Sequence, residues 1–314
     1  MRAAFRLLGF WARWALPAGV CLGLIWPGLA QALQPLLPIA VISTLTAALL
    51  RLDWQQLAYW VTHPRLPLLL VVVQLLVSPF AIDLLARAGL IPEALIVLTV
   101  LQAAGAPIGS AAAFALFLGR PGHLSMIGSV LGTLLLPITL TLVVSVQLPN
   151  FGIDVALLPF FLRVAQFALA PFLIAWLLRR LVGIERLRRL DAELAGLNVL
   201  ALVIFAIAIM QGVTEAFVAD PAAILLLLGW SCLAAFFWHL VGYLAFRPLG
   251  ADAALSAALM LGNRNMGLLL VVTAGTVGPT FQMYCGLAQI PMYCVPLILG
   301  AIMRIQAAGA DPRG

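Results

Sequence analysis

In the stretch "LGNRNMGLLL", Leu261 to Leu270, an arginine between two asparagines interrupts an otherwise apolar run. A guanidinium at the centre of a bilayer costs about 2.5–3.5 kcal/mol even on insertion scales, so such a residue must face a cavity or a partner. Few acids are placed to pair with Arg264. Asp83 falls near the outer end of an apolar segment, and no other carboxylate sits deep in one. An arginine without an evident permanent partner is a candidate for binding a substrate carboxylate. The alternative is a buried structural ion pair. Asn263 and Asn265 could cap freed backbone groups or coordinate a polar ligand.

A second interruption, "AAGAPIGSAAAF", sets Gly105, Pro107 and Gly109 at alternate positions, with Ser110 next. A helix broken inside a membrane frees N–H and C=O groups that lipid cannot satisfy, so the break must meet protein, water or a ligand. Its half-helix N-termini offer positive dipole ends to an anion. Alone, this segment reads as a proline kink filled by packing. Coincidence with the polar break at Arg264 favours a site.

No catalytic constellation is present. His63, His123 and His239 are scattered, and there is no HExxH motif, Walker loop, GxSxG elbow or CxxC pair, so no enzyme is expected. Cys21, Cys232, Cys285 and Cys294 lie in apolar segments without metal-ligand spacing, so neither a metal site nor a cofactor is expected. His239 reads as a packed histidine. Arg163 lies nine residues beyond Asp154 and is expected to snorkel outward or pair with Asp83. Gln74, Gln102 and Gln166 read as polar glue between helices.

The elements that must hold these residues are membrane helices. Of 314 residues 64% are hydrophobic and only 9% charged, against about half and a quarter in a soluble domain. Apolar runs of about 20 residues predict ten spans: roughly 12–32, 35–51, 66–87, 93–118, 123–147, 154–179, 196–216, 221–246, 253–277 and 281–304. The first is expected to be a retained helix rather than a cleaved leader. The fourth and ninth are expected to be broken, at Pro107 and Asn263.

The chain has no lysine, and arginine alone supplies its net charge of +6. That excess points to topology rather than nucleic acid. One set of connections receives Arg2, Arg6, Arg13, Arg51, Arg65, Arg120, Arg179, Arg180, Arg186, Arg188, Arg189, Arg247, Arg304 and Arg313. The other receives only Arg87, with Glu93, Asp154, Glu215 and Asp220. The asymmetry predicts both termini in the cytoplasm, in a plasma or bacterial inner membrane. The midpoint falls at "LPNFGID", dividing the chain into 1–150 and 151–314, the second part containing the arginine-rich connection at about 179–196. Five spans in each half force opposite orientations, the geometry of two inverted repeats. A weak echo supports it: "GAPIGSAAAF" then "LLLPITLTL" in one half, "GNRNMGLLL" then "MYCVPLILGA" in the other.

In "VQLLVSPFAIDLLARAGLIPEALIVL", "AAGAPIGSAAAFALFLGRPGHLSMIGSVLGTLLLPITL" and "DAALSAALMLGNRNMGLLLVV" the chain resembles the bile acid:sodium symporter superfamily. The resemblance implies a panel of spans 1, 2, 6 and 7 and a core of spans 3–5 and 8–10. It also implies that spans 4 and 9 cross at unwound centres, with alternating access to a midplane site for organic anions. Sodium-coupled members keep a glutamate in span nine, then a glutamine four residues on and Asn-Ser-Gly. Here those positions read Met260, Arg264, Asn265, Met266 and Gly267. The family's Ser-Asn pair in span four falls on Ala111 and Ala112, beside Ser110. Gln74, Ser125 and Ser129 are retained.

The expectation is therefore an all-α, ten-span secondary carrier or exchanger for a small organic anion, independent of sodium, with Arg264 standing where relatives bind the ion. Arg264, Asn263, Asn265, Pro107, Gly109 and Ser110 are the expected substrate site; Gln74, Ser125, Ser129 and Met260 are remnants of the ion site. Rival readings are a sodium-coupled symporter with altered sites, an arsenite-type exporter lacking the usual span-four cysteine, and a non-transporting sensor. The short tail after Arg304 is expected to carry no signalling domain.

Overall fold

The computed structural model describes residues 12–50, 62–294 and 298. Arg2, Arg6, Arg51, Arg304 and Arg313, and most of the last ten residues expected in span ten, lie outside them. The described residues are helical and contain no strand. In chain order the helices are α1 (Ala12–Ile25), α2 (Pro27–Leu33), α3 (Leu37–Leu50), α4 (Arg65–Val72), α5 (Ser78–Arg87), α6 (Glu93–Ala104), α7 (Ala111–Phe117) and α8 (His123–Gln147). They continue as α9 (Leu157–Val182), α10 (Ile184–Arg189), α11 (Asp191–Ala208), α12 (Val213–Ala219), α13 (Pro221–Phe246), α14 (Ala251–Gly262), α15 (Met266–Thr273) and α16 (Pro279–Leu287).

Six helical stretches are long and apolar enough to cross a membrane: Pro27–Leu50, Arg65–Arg87, His123–Phe151, Leu157–Val182, Asp191–Ala219 and Pro221–Leu249. Leu158, Leu162, Leu173, Trp176 and Leu181 project outward from α9. Apolar surface on that scale requires a nonaqueous covering, and this is a multi-pass helical membrane protein. Three further apolar helices are shorter, Leu16–Ile25, Glu93–Ala104 and Ala251–Gly262. The last two are short because each ends at one of the two expected breaks.

The first boundary differs from the sequence expectation. The chain leaves helix at Trp26 (φ −124°, ψ 76°), not near residues 32–35. Pro27 occupies the first turn of α2, and Pro35 is absorbed by a 3₁₀ turn, Gln34–Leu36, that leads directly into α3. Proline at a first-turn position gives up an N–H that has no intrahelical partner. Prolines that look like punctuation therefore leave 27–50 helical throughout.

Packing sorts the helices. α11 lies along α1 and α3, and α9 along α3 and α8. Arg179 in α9 donates to the carbonyls of Leu49 (3.0 Å) and Leu50 (2.6 Å), tying α9 to α3. Elsewhere α5 packs on α6, α13 on α14, and α8 on α4, α7 and α14. α15 meets α3 and α9 on one side and α6 and α16 on the other. Together with the α8–α9 contact it joins the two sets, and it begins beside Arg264.

Candidate functional site

The two interruptions face each other. Ile108 N–H donates to the Asn263 carbonyl at 2.9 Å, and Asn265 N–H donates to the Ala106 carbonyl at 2.8 Å. Pro107 and Arg264 thus form an isolated antiparallel bridge, the only strand-like pairing in the described residues. Groups freed by breaking one helix are satisfied by the other, as burial in an apolar medium demands. Close approach is possible because the facing residues are small. A Cβ on Gly132 of α8 would fall 2.7 Å from the Pro107 ring, and one on Gly262 would overlap the His239 imidazole.

Arg264 is the largest fully buried side chain of the described residues, only 1% exposed. Its Nε donates to Leu261 C=O (2.8 Å), and Nη1 donates to the carbonyls of Gln74 (3.0 Å) and Gly105 (3.1 Å). Nη2 donates to Ser78 Oγ (3.2 Å). The guanidinium carbon stands 5.4 Å from the centroid of the Trp238 ring, a cation–π distance. No carboxylate of the described residues pairs with it. Three carbonyls and a hydroxyl converge on one positive charge, the donor set that proteins offer to a dehydrated alkali cation.

The acceptors are local consequences of sequence. Residues Val73–Val77 form a π-helical turn in which Ser78 N–H bonds back to Val73 C=O. The next residue, Pro79, has no N–H to give. Gln74 C=O is therefore released from the helix ladder, and Arg264 takes it. Gly105 has extended backbone (ψ 145°) at the end of α6, which turns its carbonyl out of that helix. Gln74 reinforces the junction through Nε2, donating to Met260 C=O (3.1 Å) and Gly105 C=O (3.4 Å).

The two asparagines are capping groups. Asn265 Oδ1 accepts from Leu268 N–H at 3.0 Å as the N-cap of α15. Asn263 Nδ2 donates to Leu259 C=O (2.9 Å) and to His239 Nε2 (3.0 Å). His239 Nδ1 lies 2.7 Å from Ala235 C=O, a bond it makes as donor, so a neutral imidazole has Nε2 free to accept from Asn263. His239 is thus packed, as expected, and also fixes the break. At the start of α15, Met266 N–H bonds Arg264 C=O, Leu268 N–H bonds Asn265 Oδ1 and Leu269 N–H bonds Asn265 C=O.

Of the other expected site residues, Pro107 is buried against Gly132, while Gly109 and Ser110 are partly exposed at the start of α7. Met260 is fully buried beside Gly128. Ser129 Oγ lies 3.0 Å from Ile108 C=O and 2.8 Å from Ser125 C=O, tying α8 to the first break. Gln74 Oε1, Ser125 Oγ and Asn263 Oδ1 are buried without a partner. Of these ten residues, Pro107, Asn263, Arg264 and Asn265 lie in the crossing, and Gln74 and Ser129 bond to its backbone. Sequence reading missed Ser78 and Trp238, which complete the surroundings of Arg264. The Ser-Pro pair halfway along a span was the available signal for the first; nothing distinguished Trp238 from other aromatic residues.

Arg163 does not meet Asp83. That carboxylate pairs with Arg87 one helical turn away (2.8 Å), the shortest route for two side chains on one helix face. Arg163 instead donates to the Ala274 carbonyl at the end of α15. Gln102 accepts from Tyr284 OH, joining α6 to α16, whereas Gln166 is exposed on α9. Compared with models of known families and with curated proteins, the chain matches none.

Proposed function

We propose that the protein is a secondary carrier or exchanger of a small organic anion, working by alternating access and without sodium. The observation that carries this is the environment of Arg264: a permanent cation of the protein's own occupies a cluster of carbonyl and hydroxyl oxygens where two broken helices cross. Crossed interruptions at mid-span are costly to build and have an established use, the binding of ions and substrates in transporters. Here the oxygens at the crossing already have a cation from within. Met260 supplies a thioether where the resembled symporters keep a carboxylate, which leaves a sodium ion no negative ligand.

The reading includes the full architecture expected from sequence: ten spans in two inverted repeats, and a resemblance to the bile acid:sodium symporter superfamily. It also includes the grouping into a panel (α1–α3, α9, α11) and a core (α4–α8, α13–α16). The arginine asymmetry supports an inner or plasma membrane with both termini cytoplasmic. Arg264 then has two roles. Its hydrogen bonds hold the crossing together, and its charge, unmatched by any carboxylate of the described residues, makes the surrounding low-dielectric region attractive to an anion. Four bonds to protein leave that guanidinium little to offer a substrate carboxylate directly in this conformation. Direct recognition then falls to groups nearer open space.

Reconstituted protein is expected to move organic anions at the same rate with and without a sodium gradient. Strict dependence on sodium would end the proposal.

A further inference from the structure

Between Arg179 and Arg189, where the apolar span α9 gives way to α10, the chain carries five arginines and one glutamate. Arg179 is spent on the end of α3, through the carbonyls of Leu49 and Leu50. Arg180, Arg186 and Arg189 are exposed, and no carboxylate of the described residues pairs with them. The acidic side chains nearest in sequence, Glu185, Asp191 and Glu193, already have partners. Three guanidinium groups are thus left to find an anion outside the protein.

The fold sets their depth and spacing. The Arg180 guanidinium carbon lies 5.4 Å from the centroid of the Trp176 ring, which sits one helical turn back toward the apolar part of α9. Tryptophan settles at the level of lipid headgroups, so this stack holds a cation at the depth of their phosphates. Gly183 then turns the chain out of α9 with φ +84°, a conformation open to glycine and strained for other residues. Beyond the bend, Leu187 is buried and α10 packs on α11, which leaves Arg186 and Arg189 outward. Three residues apart on one helix, these two share a face, with Cβ atoms about 5–6 Å apart, and repel each other. An anion between them converts that repulsion into attraction. Leu181 and Ile184, also exposed, flank the bend with apolar surface.

The ligand that fits is anionic at one end and apolar along its length. A phosphodiester accepts paired N–H bonds from arginine, and basic clusters just beyond a membrane span attract anionic lipids. We propose that the Gly183 bend is a binding site for an anionic phospholipid, its phosphate held by Arg180, Arg186 and Arg189 and its acyl chains lying along Trp176, Leu181 and Ile184. Because α10 connects α9 to α11, and both pack on α3, the lipid braces one set of helices from outside. The site is independent of the carrier reading and of the Arg264 crossing.

The test titrates purified full-length protein in detergent with phosphatidylglycerol or phosphatidylcholine, read by thermal unfolding and native mass spectrometry. Phosphatidylglycerol is expected to raise the melting temperature and to stay bound; phosphatidylcholine is expected to do neither. Arg180→Gln, Arg186→Gln and Arg189→Gln should each weaken phosphatidylglycerol binding about fivefold. Arg247→Gln, at an exposed arginine on another connection, should not. A second readout needs no arginine variant: phosphatidylglycerol with brominated acyl chains should quench tryptophan emission more than brominated phosphatidylcholine, and Trp176→Phe should remove the excess. Equal effects of the two lipids overturn the proposal. So does an equal loss in Arg247→Gln and Arg186→Gln, which reduces the cluster to general surface charge. Stabilisation by glycerol 3-phosphate as strong as by the lipid assigns the arginines to a soluble phosphate and removes the lipid site.

Discussion

Arg264 and Arg163 both interrupt apolar segments, and their neighbourhoods could hardly differ more. Arg264 is enclosed, with four N–H groups committed to protein oxygens and an aromatic face beside it. Arg163 is exposed and bonds one backbone carbonyl, that of Ala274. The first arrangement is closed, so its charge acts on structure and on the surrounding potential. The second is open. Residue type does not distinguish a strut from a surface group; the number of donors already spent does.

The largest effect is expected at the closed site. Arg264→Ala strips the donor from Leu261 C=O and Gln74 C=O, and each buried carbonyl left bare costs about 1–3 kcal/mol. A loss of about 3 kcal/mol or more should appear in thermal unfolding in detergent, or as failure to recover monodisperse protein. Arg264→Lys should retain part of it, since an ammonium has three donors but no planar fork. Wild-type stability in Arg264→Ala would show that the closed site is not a strut. Next comes Gly262→Ala, which drives a methyl into the His239 ring and strains the His239–Asn263 bond. Overpacking of this kind costs about 1–3 kcal/mol, and the same unfolding measurement reads it.

A sharper comparison converts the closed site to an ion site. The double variant Met260→Glu with Arg264→Gln removes the internal cation and introduces a carboxylate one helical turn before it. Sodium, and not potassium or choline, should then stabilise the protein, by about 1.4 kcal/mol at ten times the dissociation constant. Wild-type protein should show no such response. Equal behaviour of the two would mean that the guanidinium does not stand in an ion's place.

The broken helices were legible in the sequence because glycine, proline and polar residues in mid-span are costly in an intact helix facing lipid. That Pro107 and Arg264 pair with each other was legible only through the family resemblance, as backbone pairing between residues so far apart leaves no local trace. The partners of Arg264 were less accessible still. Three of the four are backbone carbonyls, which every residue has, and what makes them available is a π-turn at Val73–Val77 and extended backbone at Gly105. Attention to Ser78-Pro79 could have located the π-turn, because proline removes the N–H that a carbonyl one turn earlier needs. The first helix boundary departs from expectation for the opposite reason: Pro35 and Pro38 fall at turn positions where the missing N–H costs nothing.

The smallest effect on stability is expected at the open site, and it is the one that most directly tests the difference between the two arginines. Arg163 is exposed, so Arg163→Gln should shift unfolding by no more than about 0.5 kcal/mol, as for other surface substitutions. Glutamine keeps a donor that can still reach for Ala274 C=O, and the freed surface is already in contact with solvent or headgroups. If Arg163→Gln instead destabilised the fold as much as Arg264→Ala, the bond to Ala274 would be a structural tie between α9 and α15. A mutant that melts like wild type would leave the structural load on Arg264, the arginine whose donors are committed to protein.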